Sequence, residues 1–249
     1  MEELLKLLLL FVIGIVTGFI NVMAGGGSSL SLPTLIFLGL DSSMANGTNR
    51  IAIFIQNMAA VMSFKQEKFS EFKTSLKLSA LALPGAIIGA VVAVRIDNDL
   101  FQKILGIVMI GIMITIILPK RNNNKTKTLA ETHSWLIYPA MVGVGFYGGF
   151  LQIGVGFILM AILFNLMNLN LIRVNMHKVF IIFFYTIPAL GVFIFTKNVN
   201  WQFGLVLAAG NALGAWWSVK VAIKKGEKVI RIVLISTILI MAAKLLGVF

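Results

Sequence analysis

The chain has 249 residues, of which 59% are hydrophobic and only 12% are charged, and it contains no cysteine. This composition is too apolar for a soluble domain of this length, and it excludes disulfides, thiolate chemistry and cysteine metal sites. The formal net charge of +12 does not indicate nucleic-acid binding, because the basic residues lie in short segments between apolar runs, as membrane topology requires. We therefore expect an all-α integral membrane protein. The acidic start, Met1-Glu2-Glu3, indicates a retained first helix rather than a signal peptide.

The first half opens with two apolar runs separated by glycines. The run 4–20 is followed by Ala24-Gly25-Gly26-Gly27-Ser28-Ser29, where each glycine disfavours a helix by roughly 1 kcal/mol relative to alanine. We expect the chain to turn there, and Ser28 or Ser29 to cap a half-helix over 30–40. Such a helix is about 17 Å long, roughly half of a hydrocarbon core. Alternatively, the glycines only let neighbouring helices pack closely.

Three longer segments complete the first half, and a basic linker follows them. The predicted spans are 44–64, which is capped by Asp41-Ser42-Ser43, then 76–94 and 100–118. The polar stretch 119–134 carries several lysines and an arginine and is predicted to be a cytoplasmic linker. We therefore divide the chain into a first membrane repeat, 1–118, the linker 119–134, and a second membrane repeat, 135–249.

The second half repeats the plan of the first. A shift of 129 positions without a gap aligns Gly25 with Gly154, Gly27 with Gly156, and Asn46 with Asn175. The second half-helix is predicted over 157–169, and the spans that follow over 175–196, 201–223 and 229–248. A register that also aligns the glycine breaks predicts an internal repeat.

The two halves are expected to be inverted relative to each other. Each half has an odd number of crossings, whether its first two short helices re-enter the membrane or cross it separately, and this is the plan of many secondary transporters. With both termini outside, most of the 21 basic residues fall on the cytoplasmic side, as the positive-inside rule requires. The predicted location is the cytoplasmic membrane, with multiple spans. The residues left outside are Lys6, Arg50, Arg95, Lys103, Lys197 and Lys244.

Four stretches together resemble a known family. They are 18–28 and 45–50 in the first half, and 145–156 and 174–178 in the second. Over nearly its whole length the chain resembles the TauE/SafE sulfite exporter family. The resemblance implies a transporter, and specifically an exporter, of small sulfur-containing anions such as sulfite or sulfonates.

Physical chemistry favours the same kind of solute. A helix N-terminus carries roughly half a positive charge and several free N–H groups, and it binds anions readily. The two half-helices are expected to point their N-termini, near Ser28 and Phe157, at one cavity in the middle of the membrane. The candidate substrate-binding residues are Asn21, Gly25, Gly26, Gly27, Ser28, Asn46, Thr48, Asn49, Arg50, Gln152, Gly154, Gly156, Asn175 and Lys178.

Three of the ionisable candidates have alternative explanations. Arg50 could contact the anion, reach the membrane surface or pair with Asp41. Lys178 could be an ordinary inside-positive residue. His177 titrates near neutral pH when unperturbed, but a single histidine at a helix end is more often structural.

No enzyme motif is recognisable: the sequence contains no HExxH, no Walker loop and no carboxylate pair. We expect no enzyme, no cofactor and no metal, with lipid, a small anion and possible further copies of the chain as partners. All nine acidic residues fall in predicted loops or helix ends, so we expect a uniporter driven by the membrane potential. An anion channel and a non-transporting assembly factor are the alternatives.

Overall fold

A computed structural model of the protein describes residues 2–69, 71–105, 107, 134–167 and 169–245. These residues form helices joined by short connections, and no strand occurs among them. The expectation of an all-α protein is confirmed. The helices are α1 Glu2–Met23, α2 Ser28–Phe37, α3 Ser42–Gln66, α4 Phe72–Arg95, α5 98–105, a 3-10 turn Ser134–Leu136, α6 Ile137–Phe150, α7 Val155–Met167, α8 Leu171–Phe195, α9 Trp201–Lys225 and α10 Glu227–Leu245.

Four of the described helices, α1, α4, α8 and α9, are long and apolar enough to cross a membrane. The α3 helix has the same length as α8, 25 residues, but it carries a row of buried polar side chains that lowers its hydropathy. The α2 and α7 helices have 10 and 13 residues. At 1.5 Å per residue they are about 15 and 20 Å long, too short to span a core of about 30 Å.

The helices follow the predicted repeat. The α8 helix begins and ends 129 positions after α3, and α9 begins 129 positions after α4. Even the N-terminal caps correspond. The amide of Ser42 donates to Asn98 Oδ1 at 2.8 Å, and the amide of Leu171 donates to Glu227 Oε1 at 2.7 Å. Each of these acceptors lies at the start of the last helix of its own half.

Two capping predictions were wrong. Asp41 is the N-cap residue of α3 but its side chain makes no capping hydrogen bond. The Ser42 amide donates instead to Asn98 Oδ1 of a distant helix. The α2 helix begins at Ser28 rather than at Leu30, so neither serine precedes it. Gly27 adopts helical dihedral angles, and its amide donates to Asn21 Oδ1 at 3.2 Å. The preceding helix α1 therefore supplies the side-chain acceptor.

Packing between the halves is reciprocal. The α1 helix packs along α9, and its repeat equivalent α6 packs along α4. The α3 and α8 helices contact each other, and each also packs against the fourth helix of the other half, α9 or α4. Glycines make the close approach possible: a side chain at Gly85 would overlap the Val142 carbonyl, and one at Gly214 would overlap the Ile15 carbonyl. These two glycines therefore allow close helix contact.

Parts of three predicted segments lie outside the described residues. These are most of the span 100–118, the linker 119–134 apart from Ser134, and the last residues of the span 229–248. The division of the chain into two repeats and a linker stays a prediction.

Candidate functional site

The first helix break comprises residues 24–27, between α1 and α2. Gly25 has φ of +92°, a conformation that side-chain-bearing residues rarely adopt. A Cβ atom there would also overlap the backbone of Gly156. This position therefore requires glycine for two independent reasons, conformation and space.

The second break comprises residues 151–154, between α6 and α7. Gly154, the repeat equivalent of Gly25, also has positive φ, +67°, and so does Gln152, at +65°. A Cβ atom at Gly156 would overlap Gly25, and one at Gly26 would overlap the ring of Phe157. The two breaks are therefore in direct contact, and the N-terminal turn of α7 lies against the residues that lead into α2.

Arg50 on α3 binds the carbonyl end of α6. Its Nη1 donates to the Gly148 carbonyl at 3.0 Å and to Gln152 Oε1 at 3.2 Å, and its Nη2 donates to the Gly149 carbonyl. The guanidinium carbon lies 4.7 Å from the centre of the Phe193 ring. Arg50 is 0% exposed, so it does not reach the membrane surface, and no ion pair with Asp41 occurs among the described residues.

Lys178 on α8 binds the carbonyl end of α1 in the same way. Its Nζ donates to the Val22 carbonyl at 2.7 Å, to Asn175 Oδ1 at 2.7 Å and to the Asn21 carbonyl at 3.1 Å. These three oxygens match the three N–H groups of an ammonium. Lys178 is 1% exposed, so it is not one of the surface lysines that mark the inner face.

An asparagine accompanies each cation at an equivalent position. Asn46 Nδ2 donates to the Phe150 carbonyl at 2.8 Å, and Asn175 Nδ2 donates to the Met23 carbonyl at 3.2 Å. The Asn46 and Asn175 side-chain oxygens face Arg50 and Lys178 respectively. Each long central helix thus holds the interrupted helix of the other half with one asparagine and one cation. A positive charge at a helix C-terminus is stabilising because it lies against the negative end of the helix dipole.

Two donors near the helix breaks, Asn49 Nδ2 and Arg50 Nε, have no partner among the described residues. Asn49 accepts a hydrogen bond from the Ser31 hydroxyl of α2 at 2.7 Å, but its Nδ2 makes none among the described residues. Arg50 Nε is likewise without a partner there. Both residues are fully buried, and a buried N–H group without an acceptor is costly.

Thr48 and His177 belong to the ends of the central helices rather than to the breaks. Thr48 Oγ1 accepts from the Asn200 amide at 2.9 Å at the start of α9. His177 Nδ1 lies 2.7 Å from the Ser75 hydroxyl, and its Nε2 lies 3.7 Å from Glu71 at the start of α4. These are repeat-equivalent contacts that join the ends of neighbouring helices. The structural interpretation of His177 fits this position.

Among the described residues, neither buried cation forms an ion pair with a carboxylate. The ion pairs among the described residues join Lys6 to Glu2, and Glu71 to Arg173 and His177. Every described acidic residue is exposed except Glu227, which is half-buried at the start of α10. The two breaks therefore meet at a place that carries two buried positive charges.

Comparison with known proteins identifies the family of the chain. Residues 10–245 match the family model described as sulfite exporter TauE/SafE. The chain belongs to the TauE/SafE family. It is 27% identical over 238 residues to a probable membrane transporter protein, ORF9, of a Sinorhizobium species, covering 96% of this chain and 91% of that one. No solved structure matches the chain.

Two further relatives in other bacteria have the same kind of name. The chain is 27% identical over 242 residues to a probable membrane transporter protein of Haemophilus influenzae, covering 96% of this chain and 94% of the relative. It is 28% identical over 240 residues to the probable membrane transporter protein YfcA of Escherichia coli K12, covering 95% and 88% of the two chains. The similarity therefore extends over whole proteins rather than over one segment.

Four polar residues of this TauE/SafE family member were missed by the site prediction. Gln56 Oε1 accepts from Asn21 Nδ2 and from Asn211 Nδ2, both at 3.2 Å, and Thr17 donates to Asn211 Oδ1 at 2.6 Å. Tyr185, the repeat equivalent of Gln56, accepts from Gln152 Nε2 at 3.2 Å. The available signal was a polar side chain inside a long apolar run, which is rare unless the side chain faces a protein interior.

Proposed function

We propose that this TauE/SafE family member is a secondary transporter that exports small sulfur-containing anions, such as sulfite or sulfonates, across the cytoplasmic membrane. One observation carries the proposal: two buried cations, Arg50 and Lys178, flank the contact between two helix breaks, and no described carboxylate balances them. Anions bind where positive charge, free N–H donors and helix N-termini converge. The relatives named as probable membrane transporters support the transport class.

The proposed roles follow from the contacts of each residue. We assign direct solute contact to Arg50 Nε and Asn49 Nδ2, because these donors are buried without a partner. Gly25 and Gly156 hold the two breaks in direct contact, because a side chain at either would overlap the backbone of the other. Lys178 contributes charge rather than a contact, because protein oxygens already accept all three of its N–H groups.

The remaining polar candidates are proposed to hold the breaks in position. Asn21 binds the amide of Gly27 and the side chain of Gln56. Gln152 joins Arg50 to Tyr185 across the second break. Because a transporter must alternate between two states, we expect these contacts to change as the breaks move.

The two halves are proposed to be inverted in the membrane, with both chain termini outside. The equal bounds of α3 and α8, offset by 129 positions, and the reciprocal packing of α1 on α9 and α6 on α4 support two copies of one plan. An odd number of crossings in each half then reverses the second copy. The excess of basic residues on one side sets the orientation.

Energy coupling is proposed to come from the membrane potential alone. Proton- and sodium-driven carriers usually hold carboxylates within their spans, whereas the described acidic residues of this chain lie at helix ends and in connections. An anion leaving an inside-negative cell gains roughly 2.3 kcal/mol per charge per 100 mV. Export therefore needs a gated path and no coupling ion.

Flux from proteoliposomes tests the proposal and separates it from its rivals. Vesicles loaded with sulfite or methanesulfonate should release the anion at a rate that saturates with concentration and falls in Arg50→Gln. A channel would instead give a flux too large for alternating access, without saturation at the same concentrations. Vesicles that release neither anion, although the protein is folded, would support an assembly factor and contradict the proposal.

A further inference from the structure

The two buried cations also bear on the charge of the solute. Arg50 and Lys178 are 0% and 1% exposed, and they bind the carbonyl ends of α6 and α1 respectively. The two ends are brought together by the contact between Gly25 and Gly156. Both charges therefore act on the same small region.

Helix dipoles do not cancel this charge. The carbonyl ends of α1 and α6 contribute roughly half a negative charge each, and the N-termini of α2 and α7 contribute roughly half a positive charge each. These four partial charges sum to about zero, since two interrupted helices bring two ends of each sign to the same place. The positive charge of Arg50 remains, and so does that of Lys178, whose Nζ lies among three oxygen acceptors, as an ammonium requires.

A singly charged solute would leave one of these charges without compensation. Buried charges are strongly unfavourable unless they are paired, and an unpaired one is most costly where no carboxylate is near. Among the described residues, none of the ion pairs includes Arg50 or Lys178. A doubly charged solute balances both at once.

We propose that the site selects a small dianionic oxyanion over a monoanion of the same shape. The inference rests on the proposed function and makes it more specific. Arg50 supplies one charge and a direct donor, Nε. Lys178 supplies the second charge at a distance, because its N–H groups are bound to protein oxygens. Lys178 is thus a specificity-determining residue that makes no contact with the solute.

Binding of matched pairs of anions tests this proposal. The pairs are sulfate with methanesulfonate, and ethane-1,2-disulfonate with propane-1-sulfonate, whose members have similar shape and differ by one charge. The measurement is isothermal titration calorimetry on the purified full-length protein in nanodiscs at low ionic strength. In at least one pair, we expect the Kd of the dianion to be at least about tenfold lower than the Kd of the monoanion, a difference of about 1.4 kcal/mol or more.

A variant that removes one charge should remove this preference. Lys178→Met keeps a side chain of similar length without the ammonium. It should therefore reduce the ratio of dianion affinity to monoanion affinity to about one, while monoanion binding persists. The matched control is Lys220→Met, because Lys220 is exposed and stacks on Trp216 away from the breaks. The ratio of dianion affinity to monoanion affinity in Lys220→Met should equal that of the wild-type protein. A ratio that Lys178→Met leaves unchanged in a folded protein would overturn the role of Lys178.

Binding of the two anion pairs to the wild-type protein tests the dianion proposal even if Lys178→Met does not fold. Equal binding of both members in both pairs, or binding of two monoanions per chain, would overturn the dianion proposal while leaving an anion transporter intact. Binding of no anion, together with no flux from proteoliposomes, would overturn both proposals. The two failures are therefore distinguishable.

Discussion

Replacing Gly25 by alanine tests the contact between the two breaks. The substitution forces a side chain into φ of +92°, which disfavours an L-residue by about 1–2 kcal/mol. It also drives a Cβ atom into the backbone of Gly156, and overpacking of this kind costs about 1–3 kcal/mol. We therefore expect Gly25→Ala to lower the free energy of unfolding by about 2–5 kcal/mol.

Two other glycines separate the two contributions. Gly39 has φ of +98° and open space around its Cβ position, so Gly39→Ala should show only the conformational cost of about 1–2 kcal/mol. Gly143 lies in α6 with open space and no positive φ, so Gly143→Ala should be neutral or stabilising by up to about 1 kcal/mol.

The assay is reversible unfolding by dodecyl sulfate in mixed micelles, followed by tryptophan fluorescence and circular dichroism. The three variants should rank in stability as Gly143→Ala, then Gly39→Ala, then Gly25→Ala. A Gly25→Ala protein as stable as Gly39→Ala would refute the reasoning, because it would mean that the backbone at Gly25 is not confined by Gly156.

Three further predictions concern the buried cation, the caps and the topology. Arg50→Gln should destabilise the protein by about 1–3 kcal/mol, since the carbonyls of α6 lose a buried hydrogen-bond donor, and Arg50→Lys should restore part of this in the same unfolding assay. Asn98→Ala should weaken the cap of α3 by about 0.5–2 kcal/mol, and Glu227→Ala should have a similar effect on α8. Because the chain has no cysteine, a single Asn123→Cys in the linker gives a clean label, and an impermeant maleimide added to intact cells should fail to modify it. Modification from outside would contradict the orientation.

The helices and their interruptions could be predicted from sequence because their signals are local. The span 44–64 was predicted two residues inside each end of Ser42–Gln66, and the glycine run marked the first break. The shift of 129 positions also located the second break, although it has no run of three glycines. The length of the apolar runs, the glycines and the repeated register are therefore enough to predict where the helices and the two breaks lie.

The partners of the site residues could not be predicted because they lie far away in sequence. Arg50 binds carbonyls that are nearly a hundred positions later, and a backbone carbonyl has no sequence signature at all. The cap of α3 by Asn98 depends equally on how distant helices meet. Sequence reasoning therefore identified Arg50 and Lys178 as unusual charges, while only the fold indicates which of their N–H groups are already bound.

The central claim is that this TauE/SafE family member moves anions down an electrical gradient without a coupling ion. The most direct measurement is efflux of sulfite, sulfate or methanesulfonate from loaded proteoliposomes under an imposed inside-negative potential, with no proton or sodium gradient. The imposed potential should speed efflux. At equilibrium, a potential of roughly 59 mV should make the anion about tenfold more concentrated outside the vesicles than inside for a monoanion, and about 100-fold for a dianion. Efflux that ignored the potential but required a proton or sodium gradient would contradict the central claim.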